Sequence, residues 1–285
     1  MIPASFEYTR ASSLRDALAA LAKGDGAKVL AGGHSLIPMM KFRLAQPGRL
    51  IDIGRLSELK GVAEHRRGAR IGALTTYREI LESDLLRERY PLLAEATQGI
   101  GDVQVRNRGT IGGSLAHADP ASDTPAIMVA LDAGFALRSK RGKRTVPARE
   151  FFLAPFSTAL AEDELLVEIT LPPLPRGAGT AYVSFNQAAS GYPLAAAAAV
   201  IARSRKTVSH AVVALSGLGD VARRVQAAEQ LVGSKGEPDA IARVAAAAPE
   251  GLEIQGDIHA PAPYRRHLVT VATREALTRA LERAK

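Results

Sequence analysis

The stretch "KVLAGGHSLIPMMKFR", Lys28 to Arg43, decides how the chain is read. Its apolar run, Val29 to Ala31, has strand character and stops at two glycines, Gly32 and Gly33. His34 and Ser35 follow, and then apolar residues at helical spacing. A diglycine at the seam between a strand and a helix takes positive φ without cost and lets the backbone pass close to a ligand. The free N–H groups of a helix starting there would face an anion. Ser35 adds a hydroxyl. Residues 31–35 therefore suit a diphosphate, although taken alone they also fit an ordinary tight turn.

A second segment changes that balance. "GTIGGSLAHADPASD", Gly109 to Asp123, again carries a diglycine, Gly112 and Gly113, between the hydroxyl residues Thr110 and Ser114. Asp119 and Asp123 follow at the mouth of an expected helix, where Asp123 also reads as an N-cap. Two loops of this kind imply a long, polar, phosphate-bearing ligand, with the carboxylates accepting hydrogen bonds from sugar or polyol hydroxyls. Neither loop contains GxGxxG, which disfavours a Rossmann site.

Outward from these segments the chain alternates strands and helices. Ser12 or Ser13 caps a first helix. "RLIDIGRL" and "ARIGAL" read as strands, and residues 75–100 as one helix to about Arg89 with a second after Pro91. "FALRSK" and "RTVPAREFF" form a hairpin, and "ELLVEITLP" a strand. "PPLPRGAG", Pro172 to Gly179, is a boundary where helix and strand both fail. Beyond it lie strand-like runs, including 208–219, and three helical stretches from about Arg223. The alanines at 195–199 conflict with this pattern, because Ala has the best helix propensity yet stands between strand-like segments.

With 285 residues and 47% hydrophobic residues, the chain has material for two domains. It contains no Cys, which excludes disulfides, thiolate nucleophiles, iron–sulfur clusters and Cys-held zinc on this chain. The six His are scattered without metal-ligand spacing, so no metal site is expected; His34 and His117 beside the glycine segments pack against a cofactor or cap a loop. His34 and Ser35 are adjacent and lack GxSxG, which disfavours a hydrolase. No signal peptide or membrane span is read, so a soluble cytoplasmic protein is expected. The net charge of +8 peaks at "RSKRGKR", Arg138 to Arg144, without interleaved aromatics; this points away from nucleic acid and toward an Arg-rich surface or an acidic partner protein.

"AGGHSLIPMMKFRLAQPGRLIDI" and "VRNRGTIGGSLAHADPASDTPA" resemble the FAD-binding medium subunit of molybdenum hydroxylases, the group of carbon-monoxide dehydrogenase and the xanthine dehydrogenases. The resemblance runs over nearly the whole chain. It implies an α+β fold: a two-lobed FAD-binding domain of the vanillyl-alcohol-oxidase (PCMH) type at 1–175, with lobes of about 1–55 and 56–175, then a smaller α+β C-terminal domain at 180–285. It places the FAD diphosphate on Ala31, Gly32, Gly33, His34 and Ser35, counts Leu36 among the cofactor-binding residues, and puts a second cofactor loop on Thr110, Gly112, Gly113 and Ser114. Ala118, Asp119 and Asp123 continue that site, with Asp123 on ribityl or ribose hydroxyls. Ile100 and Leu166 would line the flavin or adenine pocket, and Tyr192 would lie near the isoalloxazine. The chain departs at Ser114, where relatives often have Asn, and at Asn186, near a Lys position.

The same resemblance implies partners: a small subunit with two iron–sulfur clusters and a large subunit with molybdopterin, arranged as a dimer of heterotrimers. Electrons would pass from the clusters through FAD to an external acceptor. A self-sufficient FAD-dependent oxidoreductase and a scaffold that has lost its flavin are the competing readings.

Overall fold

A computed structural model describes residues 1–218 and 220–285. Gly219, the last residue of the strand-like run read at 208–219, lies outside the described residues. The chain opens with β1 (Glu7–Arg10), α1 (Leu14–Leu21), β2 (Ala27–Leu30), α2 (Leu36–Lys41) and β3 (Arg49–Asp52). The three strands form a parallel sheet in the order β1-β3-β2. Ser13 is the α1 N-cap, its hydroxyl accepting from the Asp16 N–H. The buried face of α1, Leu14, Ala17, Leu18 and Leu21, packs with Ile51 and Ile53, and with Ala136, Leu165 and Val167 from the next sheet. One small core therefore joins the first lobe to the second.

The second lobe begins with β4 (Val62–His65) and β5 (Gly68–Gly72). Six short helices follow: α3 (Tyr77–Glu82), α4 (Asp84–Arg89), α5 (Pro91–Gln98), α6 (Val103–Arg108), α7 (Ile111–His117) and α8 (Asp123–Ala130). The single helix expected up to Arg89 is two helices. Ser83 takes an extended ψ of 111° and turns its hydroxyl to the Leu86 N–H, starting a new helix instead of continuing the old one. Next come β6 (Gly134–Ser139), β7 (Gly142–Pro147), α9 (Ala148–Phe151), the small β8 (Phe152–Ala154) and β9 (Ser157–Thr158) pair, and β10 (Leu165–Leu171). They complete an antiparallel sheet in the order β4-β5-β10-β6-β7.

Past the Pro- and Gly-rich segment, β11 (Gly179–Asn186), β12 (Pro193–Ser204), β13 (Thr207–Ser216) and β14 (Arg223–Arg224) form a four-stranded antiparallel sheet. The 3₁₀ turn at Gln226–Leu231 and helices α10 (Pro238–Ala247) and α11 (Ala262–Arg283) complete the chain. The alanine run is strand, and its two faces explain why. Ala196, Ala198 and Val200 face the second-lobe core beside α8, whereas Ala195, Ala197, Ala199 and Ile201 face α10 and α11. A strand covered by helices on both sides needs small side chains, so tertiary packing overrides propensity. All eight residues of α8 are buried between these layers, consistent with a helix apolar on every face. No helix among the described residues is long and apolar enough to cross a membrane.

Candidate functional site

The turn after β2 exposes an unusual row of donors. Gly33 has φ +77°, and the chain then enters α2 with Ser35 as its N-cap. The N–H groups of Gly32, Gly33, His34, Ser35 and Leu36 have no protein acceptor among the described residues. The Ser35 hydroxyl makes no capping bond. Successive N–H groups in a turn form an anion-binding concavity. At six residues α2 is too short for its dipole to matter much, so the donors themselves carry the attraction.

Gly32 is needed for a different reason from the close ligand approach that the sequence suggests, whereas Gly33 takes the positive φ expected of it. A Cβ on Gly32 would overlap the Arg108 carbonyl oxygen, and one on Gly33 would lie 3.1 Å from Ile37 Cγ1. The missing side chain at Gly32 makes room for a neighbouring backbone, while positive φ at Gly33 turns the N–H groups to one side. The second diglycine is also not a loop. Gly112 and Gly113 lie in the first turn of α7, capped by Thr110, whose hydroxyl accepts from the Gly113 N–H at 3.2 Å. A Cβ on Gly112 would stand 2.5 Å from Ala73 Cβ and 2.6 Å from its carbonyl oxygen. The N–H groups of Ile111, Gly112, Gly113 and Ser114 all have protein acceptors. This helix is a wall of the site and offers no second nest of donors.

The acidic end is built from α8 and the C-terminal sheet. Asp123 is the first residue of α8, and the N-cap itself is Ser122. Tyr182, on β11, donates its phenol to Asp123 Oδ1 at 2.6 Å. Burial pushes the Asp123 carboxyl up to about 6, against the opposing pull of that hydrogen bond. Burial likewise raises the Tyr182 phenol far above its ordinary value, with the Asp123 charge adding to it, and takes Tyr77 up to about 12. Ser114 Oγ shares hydrogen bonds with Ser122 Oγ at 3.0 Å and Thr124 Oγ1 at 2.7 Å, so it ties α7 to α8. Tyr192 sits in the turn between β11 and β12 and is 45% exposed; burial first, then Asp119 and Asp123, raise its phenol.

These segments enclose one cleft of about 790 Å³ between the two lobes and the C-terminal sheet. It is lined by residues 31–36, Ile100, Thr110, Gly112, Gly113, Ser114, Asp119, Asp123, Leu166 and Tyr192. Ala118 is not on the lining; it is buried, with a left-handed φ of +50° that ends α7 and re-aims the chain toward Asp119. His34 stands at the rim with Nδ1 3.0 Å from the Gly32 carbonyl oxygen. His117 packs against Phe156, ring centroids 5.2 Å apart, and burial lowers its pKa. No cluster of His, Cys, Asp and Glu that could hold a metal exists among the described residues.

The cleft fits FAD by the chemistry of its donor set. Bare N–H donors and one hydroxyl suit an acceptor-rich diphosphate, and the carboxylates of Asp119 and Asp123 suit hydroxyls. Apolar side chains, Val29, Ile53, Ile100, Leu165 and Leu166, supply surface for flat rings. Sequence reasoning missed Tyr77 and Tyr182, which flank the acidic end. Tyr182 lies 59 residues from its partner Asp123, and no local pattern signals such a pairing.

Comparison with known proteins identifies the family. The family model described as the FAD binding domain in molybdopterin dehydrogenase matches residues 4–174. That of the CO dehydrogenase flavoprotein C-terminal domain matches 180–280. The carbon monoxide dehydrogenase medium chain of Hydrogenophaga pseudoflava is 42% identical over 285 residues, covering 99% of both chains. The glyceraldehyde dehydrogenase medium chain of Sulfolobus acidocaldarius is 39% identical over 97% of this chain and 98% of that one. The solved structure of the Hydrogenophaga pseudoflava carbon monoxide dehydrogenase superposes with a TM-score of 0.97, covering 100% of both chains. The chain therefore belongs to the FAD-binding flavoprotein family of the molybdopterin dehydrogenases, oxidoreductase subunits of the carbon-monoxide-dehydrogenase type.

Proposed function

We propose that this chain is the flavin module of a three-subunit molybdenum hydroxylase, receiving electrons from iron–sulfur clusters on a small partner subunit and delivering them to an external acceptor. Substrate oxidation would take place on a large molybdopterin subunit. The observation that carries the reading is the row of five N–H groups, Gly32 to Leu36, without acceptors among the described residues, in a cleft that is also lined by the buried Asp123 and by Asp119. FAD, when bound, supplies the exchange between one-electron carriers and a two-electron acceptor.

The chain's own residues bind and orient. The N–H groups of 32–36 and the Ser35 hydroxyl hold the diphosphate. Asp123, fixed by Tyr182, accepts from sugar or polyol hydroxyls. Ile100 and Leu166 flank the rings, and Tyr192 lies along the open edge. The absence of Cys means that this chain supplies no thiolate for an iron–sulfur cluster, in keeping with clusters carried by a partner.

Co-expression with the two partner chains encoded for such an enzyme tests the proposal. The expected product is one complex holding FAD, molybdopterin and iron–sulfur clusters, with the mass of a dimer of heterotrimers by sedimentation. Substrate should then bleach the flavin band. A chain that stays free of both partners, or a complex whose substrate reduces the clusters and leaves the flavin oxidised, contradicts it.

A further inference from the structure

We infer that Arg265, on α11 of the C-terminal region, is a positioning residue that holds two walls of the flavin cleft in register. The guanidinium is buried, with 7% of its side chain exposed. Its Nη1 donates to the Leu194 carbonyl oxygen at 2.9 Å and to the Gly217 carbonyl oxygen at 2.8 Å. Its Nη2 donates to Asp257 Oδ2 at 2.6 Å, and Nε reaches the Ala260 carbonyl oxygen at 3.4 Å.

The two Nη1 bonds lead directly to the cleft. Leu194 lies two residues beyond Tyr192, where the Tyr192 turn enters β12. Gly217 in turn donates its N–H to the Pro120 carbonyl oxygen at 3.0 Å, and Pro120 lies between Asp119 and Asp123. One guanidinium therefore anchors the root of the Tyr192 turn and, through a single residue, Gly217, the root of the acidic segment. Gly217 is itself held tightly. Its φ is +83°, and a Cβ there would lie 2.8 Å from the Pro193 carbonyl oxygen. The planar fork serves both carbonyls through Nη1 while Nη2 holds Asp257 and Nε reaches Ala260, a four-acceptor set that the three donors on the one nitrogen of a lysine do not reproduce. The ion pair to Asp257 is the lesser part, because that carboxylate is 47% exposed and screened by water.

The inference rests on the chain binding FAD, and the test separates the two. Arg265→Lys, Gly217→Ala and Asp257→Asn are made in the full chain. FAD affinity is measured by quenching of flavin fluorescence, the visible circular dichroism of bound flavin is recorded, and melting temperature is measured on the FAD-free protein. Arg265→Lys and Gly217→Ala should each raise the FAD Kd about tenfold or more and alter the visible dichroism. Asp257→Asn should lower the melting temperature yet leave Kd within about twofold and the dichroism unchanged. Should Arg265→Lys fail to fold, Gly217→Ala breaks the same relay from its other end, and the comparison with Asp257→Asn decides. If the wild-type chain binds FAD while Gly217→Ala, or a folded Arg265→Lys, binds it equally well with an unchanged spectrum, the positioning role is overturned. A wild-type chain that binds no FAD overturns the reading of the cleft, and the inference with it.

Discussion

At Asp123 folding and ligand binding make opposite demands. A carboxyl pushed up to about 6 is protonated in the folded chain where the unfolded chain has already released its proton. Its contribution to stability is therefore full below about pH 4 and is lost as pH rises toward 6, a loss of about 3 kcal/mol by pH 7. Asp123→Asn removes the titration while keeping an oxygen for the Tyr182 phenol. The FAD-free variant should melt several degrees above wild type at pH 8 and level with it at pH 4. It should bind FAD more weakly, because a neutral amide accepts a hydroxyl hydrogen bond less strongly than a carboxylate. Equal melting at both pH values contradicts the buried-charge account. The glycines give the second test at this scale. The sequence marked Gly32 as room for a ligand, whereas the structure uses it as room for the Arg108 backbone. Gly32→Ala should therefore destabilise even the FAD-free chain, by about 1–3 kcal/mol, measurable by urea unfolding. Loss of FAD with unchanged stability would instead support the reading from sequence.

Elements were legible where the signal was local. Ser13 as a cap, the hairpin of β6 and β7, and the strand at "ELLVEITLP" follow from neighbours in the chain. Two features were not local. The alanine run becomes a strand because α8 covers one face and α11 the other, which no window of residues contains. The Thr110–Ser114 segment reads as a phosphate loop from its composition, yet it is a capped helix packed on Ala73. The break at Ser83 was readable in principle, since a serine followed by Asp84 is a common helix start. Ser83→Ala should cost about 1 kcal/mol, seen as a lower urea midpoint with an unchanged slope. An unchanged midpoint would mean that the two helices do not depend on that cap.

At the scale of the whole molecule, the cleft exists only because three sheets meet. The β2–α2 turn follows a strand of the parallel sheet, the α7–α8 wall belongs to the second lobe, and Tyr192 lies in the turn between two strands of the C-terminal sheet. Arg283 adds a clasp between these parts, donating to the Thr180 carbonyl oxygen at 2.7 Å and to Glu95 on α5 at 2.8 Å. The two glycine segments could be read from sequence as belonging to one ligand because both carry hydroxyl-flanked diglycines. The Tyr182–Asp123 bond and the Arg265 relay could not, because they join residues far apart in the chain. The basic hairpin tip is partly neutralised in place, with Arg141 paired to Asp163 and Arg144 to Glu164.

The most direct test of the central claim compares FAD with riboflavin on the isolated full chain by fluorescence titration. Riboflavin keeps the rings and the ribityl chain and lacks the diphosphate and adenosine. If the N–H groups of Gly32 to Leu36 hold the diphosphate, charge-assisted bonds of about 1.5–3 kcal/mol each should make FAD at least about 100-fold tighter. Equal affinity for the two would contradict the assignment of that turn.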